Sequence, residues 1–432
     1  MDLTKYYPAI EKRRVKKSGR VTQVVGLAIE SAGPDVGVGQ MCVIKPPDYP
    51  PILSEVVGFR DENTLLMPLG RMEGVGPGNL VEATGGQVSF RVSESLLGRV
   101  LDGLGNPMDS LPPVGGTLKG ISAAPPNPLS RNRIKDQLSL GVRAIDGLLS
   151  IGKGQRVGIF AGSGVGKSTL MGMIARNALS EVNVIGLIGE RGREVREFIE
   201  KDLGPEGLKR SVLVIATSDQ PALVRLKAAE TATAAAEHFR DQGKDVLLLM
   251  DSLTRFAMAQ REVGLAAGEP PVSRGYTPSV FAVMPKLLER AGNSDKGSIT
   301  GLYTVLVDGD DLTEPVTDAA RGILDGHIVL NRKIANRNHY PAIDVLASIS
   351  RVMGDVVTKE HRALSNQVKN SMAVYADSED LINIGAYSKG SSPQIDDAIE
   401  KHPKIDSFLV QGTDEKFSLE ETLQRMREIF GE

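Results

Sequence analysis

Between residues 18 and about 95 the apolar positions come in short, β-branched runs cut by Gly, Pro, Asp and Asn: RVTQVVGLAIES, GQMCVIK, SEVVGFR, NTLLMPLG, NLVEATGG and VSFRVS. Segments of this kind predict strands, and six of them in one tight stretch predict a small barrel. From Gly152 the texture changes. RVGIF, NVIGLIG, SVLVIAT, DVLLLMD and GLYTVLV are nearly continuous apolar runs that alternate with helical segments. Strands buried on both faces of a parallel sheet have this pattern, so the expected class is α/β with a doubly wound sheet. Beyond about Gly354 the period becomes helical. Leu364, Val368, Met372 and Tyr375 follow one helical face, and Leu419, Leu423, Met426 and Phe430 follow another behind a capping box of Ser418 and Glu421. Ser110–Asn132, rich in Pro and Gly, reads as an extended connector on the surface. The expected division is a basic segment over 1–17, a β-barrel over 18–95, an α/β domain over 96–355 and a helical domain over 356–432.

Within the α/β part, RVGIFAGSGVGKSTL joins a short apolar strand to a glycine loop and a helix that opens on Lys-Ser-Thr. Gly162, Gly164 and Gly166 suit positive φ and a close backbone approach, so that the loop N–H groups, that of Val165 included, form an anion nest. Lys167 then reaches the β- and γ-phosphates, the Ser168 hydroxyl ligates Mg²⁺, Thr169 faces the α-phosphate, and the helix N-terminus favours the same anion. The first motif position holds Ala161 in place of Gly, a mild departure given the strand before it and the helix after it. A nucleoside triphosphate is the expected ligand.

Hydrolysis needs further groups. Asp251 ends the buried run DVLLLMD, where a carboxylate at the carboxyl edge of the sheet can hold the water shell of Mg²⁺. Glu190, in the loop IGERGRE, is suited to polarise an attacking water, or equally to pair as an ordinary surface residue with Arg191 or Arg193.

Length and charge narrow the class. A chain of 432 residues holds about three domains. The net charge of −3 gives no overall field for nucleic acid. The single cysteine, Cys42, sits in the apolar MCVI, reads as a buried small hydrophobe, and excludes a disulfide scaffold within one chain. No apolar stretch approaches the roughly 18 residues of a membrane span, and the N-terminus has no apolar signal region, so a cytoplasmic location is expected. Against the acidic background, EKRRVKKSGR gathers Lys12, Arg13, Arg14, Lys16, Lys17 and Arg20. A solvated charge run is the default; the alternatives are an anionic membrane surface or a docked partner.

The set AGSGVGKST, GERGREVREF, LLLMDSLTRFAMAQRE, SRGYTPSVF, DDLTEPVTDAARGILDGHIVLNR and HYPAIDVLASISRVMG resembles the rotary-type hexameric ATPases, and most closely the type III protein-export ATPases. DLINIGAYSKGSSPQIDDAIEKHPKIDSFLVQ resembles the flagellar members of that family. The resemblance implies a RecA-like P-loop domain between an N-terminal barrel and a C-terminal helical domain, and Mg-dependent hydrolysis of ATP by a homohexamer that energises protein export. It assigns Glu190 as the catalytic glutamate, Arg191 to the γ-phosphate region, Asp251 to the magnesium site, Tyr340 to stacking on adenine and Arg351 as an arginine finger given to the neighbouring subunit. Read without it, Tyr340 is a packed tyrosine and Arg351 another arginine before a helix. Implied partners are a stator-like regulatory protein at the N-terminus, a coiled-coil central stalk, an export gate, chaperones and export substrates, at the cytoplasmic face of the inner membrane.

Four other functions compete. A virulence-type export ATPase is a near relative. An ATP synthase catalytic subunit shares the core motifs, but its acidic helix-turn is matched here only by the short DSED at Asp377–Asp380. A hexameric RNA translocase requires an RNA-binding barrel, and this one has neither a Lys/Arg-Gly-Phe signature nor an aromatic-rich face. A non-catalytic nucleotide-binding subunit would lack Glu190.

Overall fold

The computed structural model describes residues 17–307, 311 and 313–431. Six strands, β1 (Ser18–Val25), β2 (Ala28–Ala32), β3 (Met41–Lys45), β4 (Ile52–Arg60), β5 (Asn63–Pro68) and β6 (Leu80–Ala83), close into a barrel in the order β1-β2-β5-β4-β3-β6. Its interior is filled by Val21, Ile29, Ile44, Val56, Leu66 and Val81 together with the fully buried Cys42, whose thiol burial pushes up to about 11. The six barrel strands are not the six apolar runs. Gly26, at φ +59°, breaks the first run into the hairpin β1–β2. VSFRVS instead forms β7 (Ser89–Val92), outside the barrel, paired with β9 (Thr117–Gly120) of the connector. The connector follows the surface but is anchored by buried Val114 and Ile121, and just before it Asp109 takes a two-point bond from Arg99.

A small antiparallel pair, β10 (Gln137–Leu138) and β11 (Ile151–Gly152), flanks helix α1 (Arg143–Leu148). The large sheet is then built from β8 (Val100–Asp102), β12 (Arg156–Ala161), β13 (Val182–Ile188), β14 (Ser211–Ala216), β15 (Asp245–Asp251), β16 (Gly292–Asn293), β17 (Ser298–Leu306), β18 (Gly326–Leu330) and β19 (Ile343–Ser350). The order is β19-β18-β12-β17-β15-β13-β14-β8, with β16 paired to β17. All neighbours along the path are parallel except β19, which runs antiparallel at one edge. Side chains along β15 alternate between two cores. Val246, Leu248 and Met250 meet one face, packed by α3 (Ala222–Arg240), α4 (Leu253–Ala267) and α5 (Pro278–Leu288); Leu247 and Leu249 meet the other, packed by α2 (Lys167–Asn177). The continuous apolar runs arise because each residue of such a strand has protein on its side.

The second core continues into α6 (Lys359–Asn383), α7 (Pro393–Leu409) and α8 (Leu419–Phe430) through Leu364, Val368, Ile405, Phe408, Met426 and Ile429. All three pack on α1. The capping box of Ser418 and Glu421 opens α8 as the spacing predicts. Within α1, Asp146 is fully buried and accepts from Ser139 Oγ at 2.7 Å and from the backbone N–H groups of Leu140 and Gly141 at 2.8 Å each. Of the basic cluster, Lys12, Arg13, Arg14 and Lys16 lie outside the described residues; Lys17 pairs with Asp35 at 2.9 Å and Arg20 donates to the Gly78 carbonyl at 2.8 Å.

Candidate active site

Strand β12 delivers the chain to the carboxyl edge of the sheet, and the loop after Ala161 returns it as α2, which begins at Lys167. Gly164 and Gly166 stand at φ +76° and +90°, conformations that a side chain would strain. Gly162 is not among the positive-φ residues, so that part of the glycine argument does not hold for it. Val165 is buried and ties the loop to the core, while Ser168 and Thr169 are exposed on the first turn of α2. The loop amides and the helix N-terminus together form an anion cradle.

Three loops at that edge converge. Lys167 Nζ forms an ion pair with Asp251, the last residue of β15, and lies 3.4 Å from Oε1 of Glu190, two residues beyond β13. Asp251 also accepts from Thr304 Oγ1 of β17 at 2.6 Å. Burial opposes the Lys167 cation, but the charges of Asp251 and Glu190 more than offset it and hold the lysine above its ordinary pKa. For Glu190, burial comes first and repulsion from Asp251 second; against the pull of Lys167, they push its carboxyl up to about 7. Glu190 therefore pairs with neither Arg191 nor Arg193 but faces the lysine of the phosphate loop, poised to gain and lose a proton near neutrality.

Sequence reasoning missed Arg255, on the first turn of α4. Its stem packs against Gly189, where a Cβ would stand 2.8 Å from that of Arg255. Its Nε is buried with no hydrogen-bond partner among the described residues. A partly buried guanidinium beside the Glu190 loop can receive a phosphate oxygen. The signal was a cation one helical turn after Asp251, inside DSLTR.

The remaining predicted residues separate. Tyr340 leads into β19 and stays with the site: a Cβ on Gly166 would lie 3.3 Å from its half-exposed ring. Arg191 points to solvent and pairs with Glu194 at 3.1 Å, away from Lys167. Arg351 follows the far end of β19. Its N–H donates to the Asp325 carbonyl at 3.0 Å, and Asp325 in turn donates to Arg156, the first residue of β12. That is the amino edge of the sheet, and Ala161 lies five residues further along β12, roughly 17 Å away at the strand rise. The exposed Arg351 side chain, bonded to the Arg321 carbonyl at 3.2 Å, does not serve its own chain's phosphate loop.

Among the described residues no group of three His, Cys, Asp or Glu could hold a metal by itself. The donors present are a hydroxyl, Ser168, and a buried carboxylate, Asp251, whose nearest charge is Lys167. They fit Mg²⁺, a hard cation that keeps most of its ligands as water and phosphate oxygen. No described helix is long and apolar enough to cross a membrane.

Comparison with known proteins bears on the same regions. Residues 141–350 match the nucleotide-binding domain of the ATP synthase alpha/beta family, residues 21–85 match the beta-barrel domain of that family, and residues 357–428 match the T3SS EscN ATPase C-terminal domain. The chain is 57% identical over 419 residues to the flagellum-specific ATP synthase of Bacillus subtilis, covering 96% of each. It resembles the assembled ATPase EscN of the enteropathogenic E. coli type III secretion system with a TM-score of 0.91 at 47% identity, covering 95% of this chain and 99% of that one. The same ATPase solved in complex with its central stalk EscO matches with a TM-score of 0.88 at 47% identity, with the same coverage.

Proposed function

We infer function from the premise that this chain belongs to the ATP synthase alpha/beta family, in the branch of flagellum-specific and type III secretion ATPases: it is an ATPase that energises flagellar protein export. The observation that carries hydrolysis is the convergence of Lys167, Glu190 and Asp251 at the ends of three strands, with Glu190 held near neutrality. The catalytic unit we propose is a homohexamer whose sites lie between subunits.

When ATP enters the loop, its β- and γ-phosphates take over Lys167, and Glu190 is released to a water. Ser168, and Asp251 through water, would hold Mg²⁺, which would supply neutralisation of charge on the phosphate oxygens. Glu190 orients the water in line with the γ-phosphorus and accepts its proton as the new P–O bond forms. The bond to the β-phosphate oxygen breaks, and ADP and phosphate remain. Arg255 is positioned to hold the departing phosphate. Arg351 of the neighbouring subunit stabilises charge in the transition state, a role supported by its place at the opposite edge of its own sheet. Tyr340 carries the adenine ring. Arg191, which faces solvent here, reaches the γ-phosphate region only if its loop turns inward as the ring closes.

A C-terminal domain of the secretion type supports export over synthesis. A central stalk through the ring is supported by the EscN–EscO likeness. The stator-like protein, export gate, chaperones and attachment at the inner-membrane face extend the reading. Turnover per chain should climb steeply with protein concentration, and particle mass should rise to six chains with Mg²⁺ and a non-hydrolysable ATP analogue. Concentration-independent turnover by a monomer would overturn the reading. The likeness to EscN favours virulence-type secretion as the second reading. Gene deletion in the source bacterium separates the two, since loss of flagella supports the first and loss of effector secretion with intact flagella the second.

A further inference from the structure

We propose that Gln411 is a positioning residue for the nucleotide base, acting through Tyr340; the proposal rests on the reading that Tyr340 carries adenine. Tyr340 presents its ring to the phosphate loop with 40% of the residue exposed, so its place is set less by packing of the ring than by its backbone. That backbone is held from the C-terminal helices. The Tyr340 carbonyl accepts from the N–H of Gln411 at 2.9 Å, and the preceding His339 meets Asp406 of α7 at 2.9 Å.

Gln411 lies two residues past the end of α7 and is 3% exposed. Its amide is engaged on both atoms. Oε1 accepts from Arg143 N–H at 3.0 Å, while Nε2 donates to the Gly141 carbonyl at 2.9 Å and the Glu415 carbonyl at 3.1 Å. The peg is therefore fixed to the approach to α1 and to its own loop at once. Arg143 reinforces it, with its guanidinium bonded to the Val410 carbonyl and 4.3 Å from the Phe417 ring centre. Arg176, on the helix that begins at Lys167, donates to the Thr413 carbonyl at 2.7 Å. Residues 410–415 thus form a clasp joining the C-terminal helices, the phosphate-loop helix and the loop of Tyr340. Without the amide, residue 411 loses the anchor that aims its N–H at Tyr340, and two buried backbone groups, the Arg143 N–H and the Gly141 carbonyl, lose this partner.

The consequence is specific to the base. In the full chain, Gln411→Ala and the volume-matched Gln411→Met should raise KM for ATP roughly tenfold. The kcat at saturating ATP should stay within about twofold, since the groups around the γ-phosphate are untouched. Inhibition by Mg-tripolyphosphate, which has no base, should be unchanged. The chain holds no Trp, so Tyr340→Trp gives a lone indole whose quenching reports the base, and Gln411→Met in that background should weaken quenching to the same degree. An unchanged KM in the Gln411 variants, with Tyr340→Ala raising it, overturns the role of Gln411 alone. An unchanged KM in Tyr340→Ala overturns the reading beneath it. An equal loss of tripolyphosphate binding, or failure of both Gln411 variants to fold, makes Gln411 merely structural and overturns the proposal.

Discussion

Glu190→Gln should make the nucleotide-free protein more stable, by an amount that grows as pH rises from about 4.5 and is complete above about 7. In the unfolded chain the carboxyl titrates near 4.5; in the fold, burial and then the Asp251 charge hold it to about 7. Between those values the folded state binds more protons than the unfolded one, so stability falls as pH rises through the window, and above about 7 the full cost is present. A displacement from 4.5 to about 7 corresponds to about 3 kcal/mol at 1.36 kcal/mol per unit. Glutamine cannot ionise and escapes that cost. At pH 8, in EDTA and without nucleotide, the variant should melt about 6 °C above the parent, given the usual unfolding entropy of a domain of 150–250 residues. At pH 5 the gain should shrink to roughly a quarter of that. Scanning calorimetry across that range reads the difference directly. A gain of equal size at both pH values, or a variant less stable than the parent at pH 8, would show that Glu190 is not strained by its site.

Arg351→Ala should keep nucleotide binding but lower turnover by roughly 10³ or more, about 4 kcal/mol of barrier; a fluorescent-nucleotide titration beside a phosphate-release assay checks both halves. Asp146→Ala should cost about 3 kcal/mol at pH 7, because two backbone N–H groups and a serine hydroxyl lose a buried acceptor. Its measure is the urea midpoint, and a change below about 0.5 kcal/mol would count against that network. Deleting residues 1–16, which leaves strand β1 whole, should reduce sedimentation with anionic liposomes, each basic residue contributing about 1 kcal/mol near the surface; unchanged sedimentation would exclude lipid as the partner of the basic cluster.

Legibility in the sequence followed burial. DVLLLMD could be read because both faces of β15 are covered, so every residue from Val246 to Met250 is apolar, and the aspartate that ends the run marks the site. The barrel was legible as a class but not in its pairing. VSFRVS has the same alternation as a barrel strand, and only the connector strand Thr117–Gly120, far along the chain, shows where it pairs. Helix α1 is too short to display a period, yet it is the surface on which the three C-terminal helices pack. In the site, the glycine loop and Lys167 were plain because backbone geometry restricts the residue types. Arg255 was not, since one arginine in a helical segment carries no pattern. The roles proposed for Tyr340 and Arg351 rest on resemblance, because each would depend on something outside the chain: a base for one, an adjoining subunit for the other.

Strand β19 gives that division a place in the fold. It is the one strand along the main path laid against the direction of its neighbours, and its eight residues, bulged so that Ile343 and Ser350 face Leu330 and Gly326 only four residues apart on β18, cover about 13 Å of the sheet between Tyr340 and Arg351. With the roles proposed above, one end of this strand meets a base and the other reaches the adjoining subunit. In a closed circle of such chains, filling one cleft would then be felt at the next through a single edge strand.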